Sequence, residues 1–348
     1  MHVGVTPPTC PDRLSTLVRV LTRVTPLVLA VSLLVSPAAA SVEAAGTSRL
    51  PVLGFQSDGS TPALIAADAP GLAAVGVDGV NLTGPGSVST PAVADRAQLA
   101  AAHRAGLTAM LLVGNWSDTI EDFSEPLAWR TLGHQAMIAR AAATLAADVN
   151  TEGWNGVSVD LESLAPRDRA GLTAFVDALR ADLPEAASLT VCVTSFPSLA
   201  DYGSNGYDLR GLAAAANQLV LMAYDEHGPW ENTPGPVGAE TWVQAGLHAV
   251  MRVVPGRQID LGVAGYGYAW RPHANVMLSD AGARRLVRRE GGRARWVSTV
   301  GEWTATLRDG STVWWSDERT LALRERLAAR LGLHGLAVWS LALSDPIR

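Results

Sequence analysis

The chain has 348 residues, 48% hydrophobic and 17% charged, and Arg supplies all 27 basic residues against 33 acidic ones. That length holds one large barrel or two modest domains, and the composition suits a globular chain that buries a big core. Without residues 1–40 the balance is 24 Arg against 32 acidic residues, about −8, which argues against nucleic acid or an anionic membrane surface as the main partner.

Residues 1–40 read as a secretion signal. Arg13, Arg19 and Arg23 precede the apolar run 26–35, and the small residues 36–40 follow it. The run is too short to span a bilayer comfortably, so no membrane attachment is expected after cleavage, a retained anchor being the alternative. Residues 41–49 read as a linker and 50–348 as the catalytic domain. Once the signal is removed a single cysteine remains, Cys192, inside an apolar strand-like run. It has no internal disulfide partner and reads as core.

From residue 50 onward, strand-like and helix-like segments alternate. Strands are expected at 50–56, 76–82 and 107–115, the last apolar throughout as a buried parallel strand should be. The fourth lies within 154–164, and the rest at 189–195, 218–225, 258–266 and 335–343. Helices are expected at 92–105, 127–149, 166–183, 209–217, 238–254 and 317–331. Eight strands, nearly all separated by helices, describe a (β/α)8 TIM barrel. One segment breaks the rhythm: 295–315 alternates around Asp309-Gly310, a strong hairpin signal. It predicts a small β-hairpin excursion between strand 7 and the last helix, with Trp314 and Trp315 pinning it to the barrel. Too few residues follow strand eight for a full closing helix to be expected.

The fourth strand carries the densest signal. In WNGVSVDLESL (154–164), Val157, Val159 and Leu161 alternate with Ser158, Asp160 and Glu162. In a closed parallel barrel the apolar side meets the outer helices and the polar side enters the lumen. Burying two carboxylates there is costly unless something holds them, and such sites are mainly ones that do chemistry. Barrels carry their sites at the C-terminal ends of the strands. Those ends gather Asn115-Trp116, Glu162, Tyr224-Asp225-Glu226-His227, Tyr266, Tyr268, Trp270 and Trp339. No HExxH, GxSxG or phosphate-cradling Gly-rich loop occurs, so no metal and no cofactor is expected. Carboxylates among flat aromatic rings suit a sugar. Asp160 and Glu162 sit on one strand face, roughly 6.5–7 Å apart at Cα. They approach from the same side and are poorly placed as an acid and an opposing nucleophile. A nucleophile on the substrate would resolve this, leaving the charge of Asp160 to raise the pKa of Glu162.

NGVSVDLE (155–162) resembles the DxxDxDxE signature of glycoside hydrolase family 18, the chitinase family, with the last two acids at Asp160 and Glu162. MAYD (222–225) resembles its strand-six motif, and Trp339 stands where that family keeps a tryptophan under the sugar. YDEHGPWENTPGPVGAETWVQAGL, LGVAGYGYAW, VWWSDERTLALRERL and GLAVWSLALSDP are similar to the branch that includes spore-cortex-lytic N-acetylglucosaminidases. The resemblance covers residues 50–346. It implies substrate-assisted retaining hydrolysis of β-1,4 bonds after N-acetylglucosamine, in peptidoglycan or a chitin-like polymer. Glu162 is then the acid and later the base, Asp160 orients the acetamido group, Tyr224 hydrogen-bonds its oxygen, and Asp225 shapes the pocket. Trp339, Ser158, Trp116, Tyr266 and Trp270 are the expected substrate-binding residues. Asn155 and Ser158 replace the first two acids of the signature, and Ser158 would lie beneath Asp160, where an acid normally shares its proton. The expected protein is secreted or wall-associated and monomeric. The rival reading is a lectin-like barrel that binds carbohydrate without cleaving it, and a barrel hydrolase with a protein nucleophile is a third.

Overall fold

The computed structural model describes residues 49–57 and 60–348. The expected secretion signal and all but the last residue of the expected linker lie outside them. Eight parallel strands close on themselves: β1 (Val52–Gln56), β2 (Ala74–Gly84), β3 (Thr108–Gly114), β4 (Gly156–Asp160), β5 (Ser188–Thr194), β6 (Gln218–Met222), β7 (Ile259–Ala264) and β8 (Gly335–Trp339). Each pairs with the next, and β8 returns to β1 with Leu336 opposite Val52. All eight strands anticipated from the sequence are present, in order.

The helices are α1 (Pro62–Asp68), α2 (Val93–Arg104), α3 (Glu125–Leu132), α4 (Gln135–Glu152), α5 (Arg169–Asp182), α6 (Leu199–Ser204), α7 (Leu209–Ala215), α8 (Glu240–Met251), α9 (Asp280–Arg289) and α10 (Glu318–Leu331), and all lie in the connections between barrel strands, α9 within the long one after β7. In α5, Leu172, Phe175, Val176 and Leu179 form the buried stripe, the spacing of one helical face. The single helix expected over 127–149 is two. Ser124 caps α3 by accepting from the Leu127 N–H, and the Gly133 N–H closes its last turn on the Trp129 carbonyl at 2.8 Å. A Cβ at Gly133 would lie 2.9 Å from Trp129, so the bend needs glycine there. The apolar period on either side hid this break.

The excursion after β7 is larger than a hairpin. It is a five-stranded antiparallel sheet, in the order Val276–Ser279, Tyr266–Trp270, Thr312–Trp315, Glu302–Thr306, Arg295–Val297, with α9 within it. The turn at Asp309-Gly310 joins two of those strands, as its signal predicts. Tyr266–Trp270 directly follows β7 and reads in sequence as its continuation, which concealed the sheet. One face of the sheet packs Ala269, Val313 and Trp315 against Leu286 and Val287 of α9. The other packs Tyr266, Tyr268, Trp270 and Trp314 toward Tyr224 and Trp339 of the barrel. Trp314 therefore meets the barrel, while Trp315 stacks on Trp303 within the excursion at 6.1 Å.

The barrel wall sorts its side chains by parity. Val157 and Val159 on β4, Leu189 and Val191 on β5, and Leu219 and Leu221 on β6 join the helices in the main core. The alternate positions fill the lumen, where Leu53, Phe55, Met110, Leu112, Cys192, Val220, Met222 and Ala337 form a separate cluster. Past β8, residues 341–348 form no helix; the Ile347 N–H donates to Asp68 Oδ1 at 3.0 Å. No helix among the described residues is long and apolar enough to cross a membrane.

Candidate active site

β4 is set at its base by two small features. The Asn155 side-chain Oδ1 accepts the Ala109 N–H at 2.8 Å, and the Asn155 backbone N–H donates to the Ala109 carbonyl at 2.7 Å. Asn155, at the position of the first signature acid, thus fastens β4 to β3 at the end of the strand away from the site. A Cβ at Gly156 would stand 1.9 Å from the Ser188 carbonyl, so only glycine allows β5 this close. Ser158 and Asp160 then point inward, and the strand ends. Glu162 follows, half-buried at the mouth, and Ser163 turns the chain away with a φ of 55°.

The acid's main chain is gripped from two sides. Asn115, fully buried at the end of β3, accepts the Glu162 N–H through Oδ1 at 2.8 Å and donates from Nδ2 to the Glu162 carbonyl at 2.9 Å. The Tyr207 hydroxyl donates to the Leu161 carbonyl at 3.4 Å.

Beneath Glu162 lies Asp160, 5% exposed, with Oδ1 lacking any hydrogen-bond partner among the described protein groups. Burial raises its pKa to about 7, the Asp78 carboxylate adds to the rise, and a hydrogen bond with the Cys192 thiol opposes it. Glu162 is also raised well above the ordinary carboxyl range, by burial first and then by the negative charge of Asp160, Asp225 and Asp122. It therefore holds its proton to higher pH than an exposed glutamate does. Ser158 is buried below; it accepts from Thr190 Oγ1 at 2.9 Å and lies 3.8 Å from Cys192 Sγ. Where the signature has a second acid, this barrel has two hydroxyls and a thiol.

Across the mouth, Asp225 sits just past β6 with a φ of 64°, a conformation unusual for a residue with a side chain. Its Oδ1 accepts from the hydroxyls of Tyr266 at 2.7 Å and Tyr268 at 2.8 Å. Tyr224 packs between the lumen and Tyr266, at 6.2 Å from that ring. Gly262 makes room for it: a Cβ there would lie 3.0 Å from the Tyr224 ring. Trp339 is half-buried against Phe55, ring centres 5.5 Å apart.

Asp160, Glu162, Tyr224 and Asp225 therefore converge on one mouth, with Trp339 packed beside Tyr224. Ser158, expected to bind substrate, is fully buried beneath Asp160 and spends its contacts on Thr190 and Cys192. Two further expected substrate-binding residues lie deeper than a sugar platform would. Tyr266 is 1% exposed and spends its hydroxyl on Asp225, while Trp270 is 5% exposed and donates from Nε1 to the Glu231 carbonyl. Both brace the loops around Asp225. Trp116 stands on a short hairpin after β3, 41% exposed and edge-on to Phe123. The same hairpin carries Asp122, whose charge reaches Glu162. Glu226 accepts the Ala239 N–H at 2.7 Å and His227 meets Glu231 at 2.9 Å. Tyr207, Asp122 and the lumen role of Cys192 were not singled out from the sequence. Asn115 and Tyr268 were placed at strand ends by the sequence, but without the contacts that give them their roles. Among the described residues no group of three His, Cys, Asp or Glu side chains is arranged to hold a metal ion.

A carboxyl that holds its proton above the usual range, close to Tyr224, equips the site for acid catalysis at a glycosidic oxygen. The profile of the Glycosyl hydrolases family 18 matches residues 84–343. A chitinase from Chromobacterium violaceum superposes with a TM-score of 0.77 at 30% identity, over 85% of this chain and 95% of that one. The spore cortex-lytic enzyme SleL of Bacillus cereus shares the fold at a TM-score of 0.75 and 18% identity, over 85% of this chain and 72% of that one. In sequence, the uncharacterized glycosylase YvbX of Bacillus subtilis is 23% identical over 70% of this chain and 74% of its own length. The putative sporulation-specific glycosylase YdhD of the same organism is 28% identical over 56% of this chain and 49% of its own length.

Proposed function

Since this chain belongs to the glycosyl hydrolases of family 18, we propose that it is a secreted glycosidase that cleaves β-1,4 bonds after N-acetylglucosamine in peptidoglycan or a chitin-like polymer. Glu162 protonates the leaving oxygen. The acetamido carbonyl of the same sugar attacks its C1, giving an oxazolinium ion, and Glu162 then activates the water that opens it. Asp160 orients the acetamido N–H and balances the positive charge, Tyr224 holds the acetamido oxygen, and Asp225 shapes that pocket. Trp339 underlies the sugar, and Trp116 offers an exposed ring at the rim.

One observation carries this reading: Glu162 and Asp160 rise from a single strand face, and the carboxylate opposite them is already engaged. Asp225 Oδ1 accepts two phenol hydrogen bonds, which lower its nucleophilicity, so the attacking group is best supplied by the substrate. The apolar run 26–35 after three arginines supports secretion.

The test is to incubate the protein with N-acetylglucosamine oligomers, with their de-N-acetylated counterparts, and with purified peptidoglycan, and to identify the new reducing ends. Cleavage only where the acetamido group is present, with the β-anomer formed first, is expected. Equal cleavage without the acetamido group would replace this reading by a protein nucleophile. Binding of the oligomers without cleavage of any substrate would replace it by a lectin-like barrel.

A further inference from the structure

The β3–β4 ladder ends at Gly114 opposite Asp160, two residues short of the acid. Beyond it, the Asn115 side chain takes over what the backbone no longer does. Its amide makes both hydrogen bonds of a ladder rung with the peptide of Glu162, at 2.8 and 2.9 Å. The same Nδ2 also donates to the Ser124 carbonyl at 3.1 Å, and the Asn115 carbonyl accepts the Ser124 N–H at 3.0 Å. Ser124 closes the hairpin of Trp116–Ser117 and Asp122–Phe123. On the first strand of the hairpin, at the same root, the Trp116 N–H donates to Asn81 Oδ1 at 2.9 Å. One buried amide therefore ties the acid's peptide and the root of the rim hairpin to each other. All three of its polar contacts are satisfied, and none reaches the cleft.

We propose that Asn115 is a positioning residue for the reaction, holding the Glu162 peptide and the Trp116–Phe123 hairpin in a single register so that the acid is aimed at the glycosidic oxygen. This rests on the reading of Glu162 as the acid. A carboxyl three bonds out from the Cα of an unanchored peptide amplifies any backbone movement, and misplacement of about 1 Å can cost on the order of 100-fold in rate. Asn115→Ala is therefore expected to lower kcat by ~10–100-fold and to leave KM within about threefold.

Asn115→Asp separates positioning from mere packing. A protonated aspartic acid reproduces the rung, with an O–H donor and a C=O acceptor, whereas an ionised one can only accept. Over the pH range where wild-type kcat is flat, N115D should exceed N115A by a margin that widens as pH falls. The other groups that titrate around Glu162 are Asp160 on its own strand, Asp122 on the hairpin, Asp225 past β6, the Cys192 thiol on β5 and the phenols of Tyr207 and Tyr224. N115A alters none of them, whereas the carboxylate of N115D, once ionised, adds a negative charge beside Glu162 and raises its pKa further.

The experiment measures kcat and KM across pH for wild type, N115A and N115D on an N-acetylglucosamine oligomer, with E162Q alongside and thermal melting as the check on folding. N115A within threefold of wild-type kcat, a loss confined to KM, or N115D tracking N115A at every pH would each overturn the inference. If N115A does not fold, the ratio of N115D to wild type decides: it must climb on acidification, and a flat ratio overturns the inference. Hydrolysis by E162Q would instead overturn the assignment of the acid itself, whereas an inert E162Q beside a fully active N115A condemns the positioning role alone.

Discussion

The two sides of the barrel wall are built from the same strands under opposite rules. Outward, Val157, Val159, Leu189, Val191 and Leu221 are all at or below 1% exposure and meet helices through apolar contact. Any side chain of like volume and shape would serve there. Inward, Ser158, Thr190, Cys192 and Asp160 each have a particular neighbour, and Asp160 and Glu162 resist ionisation because of where they lie. The comparison teaches that the outer face stabilises throughout, whereas the inner one sets an apolar cluster around Phe55 and Met110 beside carboxyls that give part of that stability up. A carboxyl whose pKa rises on folding opposes the folded state once the pH exceeds its ordinary value.

Substitutions on the two faces should therefore part company. The largest effect is expected from Glu162→Gln, which removes the proton donor and should lower kcat by ~10²–10⁴-fold while Tm holds or rises, read by oligomer hydrolysis and melting. Leu189→Ala, facing outward, should cost about 2–5 kcal/mol in denaturant unfolding and leave kcat per folded molecule nearly unchanged. A fall in kcat as steep as that of E162Q would break the separation.

Asp160→Asn should do both things at once. Its kcat falls by ~10–100-fold, and its stability relative to wild type depends on pH. The folded pKa is about 7 against an ordinary 3.8, so between those values the folded protein keeps a proton that the unfolded chain has lost. Wild type is thus progressively destabilised through this carboxyl as pH rises from 4 to 7, and asparagine is not. D160N should melt a few degrees above wild type at pH 8 and show no such gain at pH 4, and equal gains at both would refute the account. The smallest effect belongs to Asp122→Asn. Its charge contributes to the raised pKa of Glu162, so its loss should move the basic limb of the kcat profile to lower pH by a few tenths of a unit. The shift should fade in ~1 M salt, where the Debye length is ~3 Å.

The outward face was the legible one. Runs such as LTAMLLVG and QLVLM announce buried parallel strands whatever lies beside them, and the alternation of strand-like with helix-like segments supplied the count of eight. The alternation of β4 also exposed Asp160 and Glu162, because polar residues at period two within an apolar segment need a reason. What stayed hidden depends on contact across sequence distance. Asn115 and Glu162 are 47 residues apart, and nothing local to either names the other. Cys192 read as inert core, since its place beneath Asp160 follows only from the β4–β5 register. Tyr266 and Trp270 read as platforms because aromatic residues near a strand end look alike until their hydroxyl and indole partners are seen. The excursion was underestimated for a related reason: Tyr266–Trp270 continues β7 in pattern while belonging to another sheet.

That sheet has a practical corollary. Tyr266 and Tyr268 supply both donors to Asp225 Oδ1, and Glu302 accepts the Val237 and Gly238 N–H groups at 2.8 and 2.7 Å. An insertion after β7 has thus become the bracket for the loop after β6. A trimmed catalyst built on this scaffold would strand a carboxylate and two amides, so any grafting between relatives should transplant 225–239 together with 266–315 as one cassette.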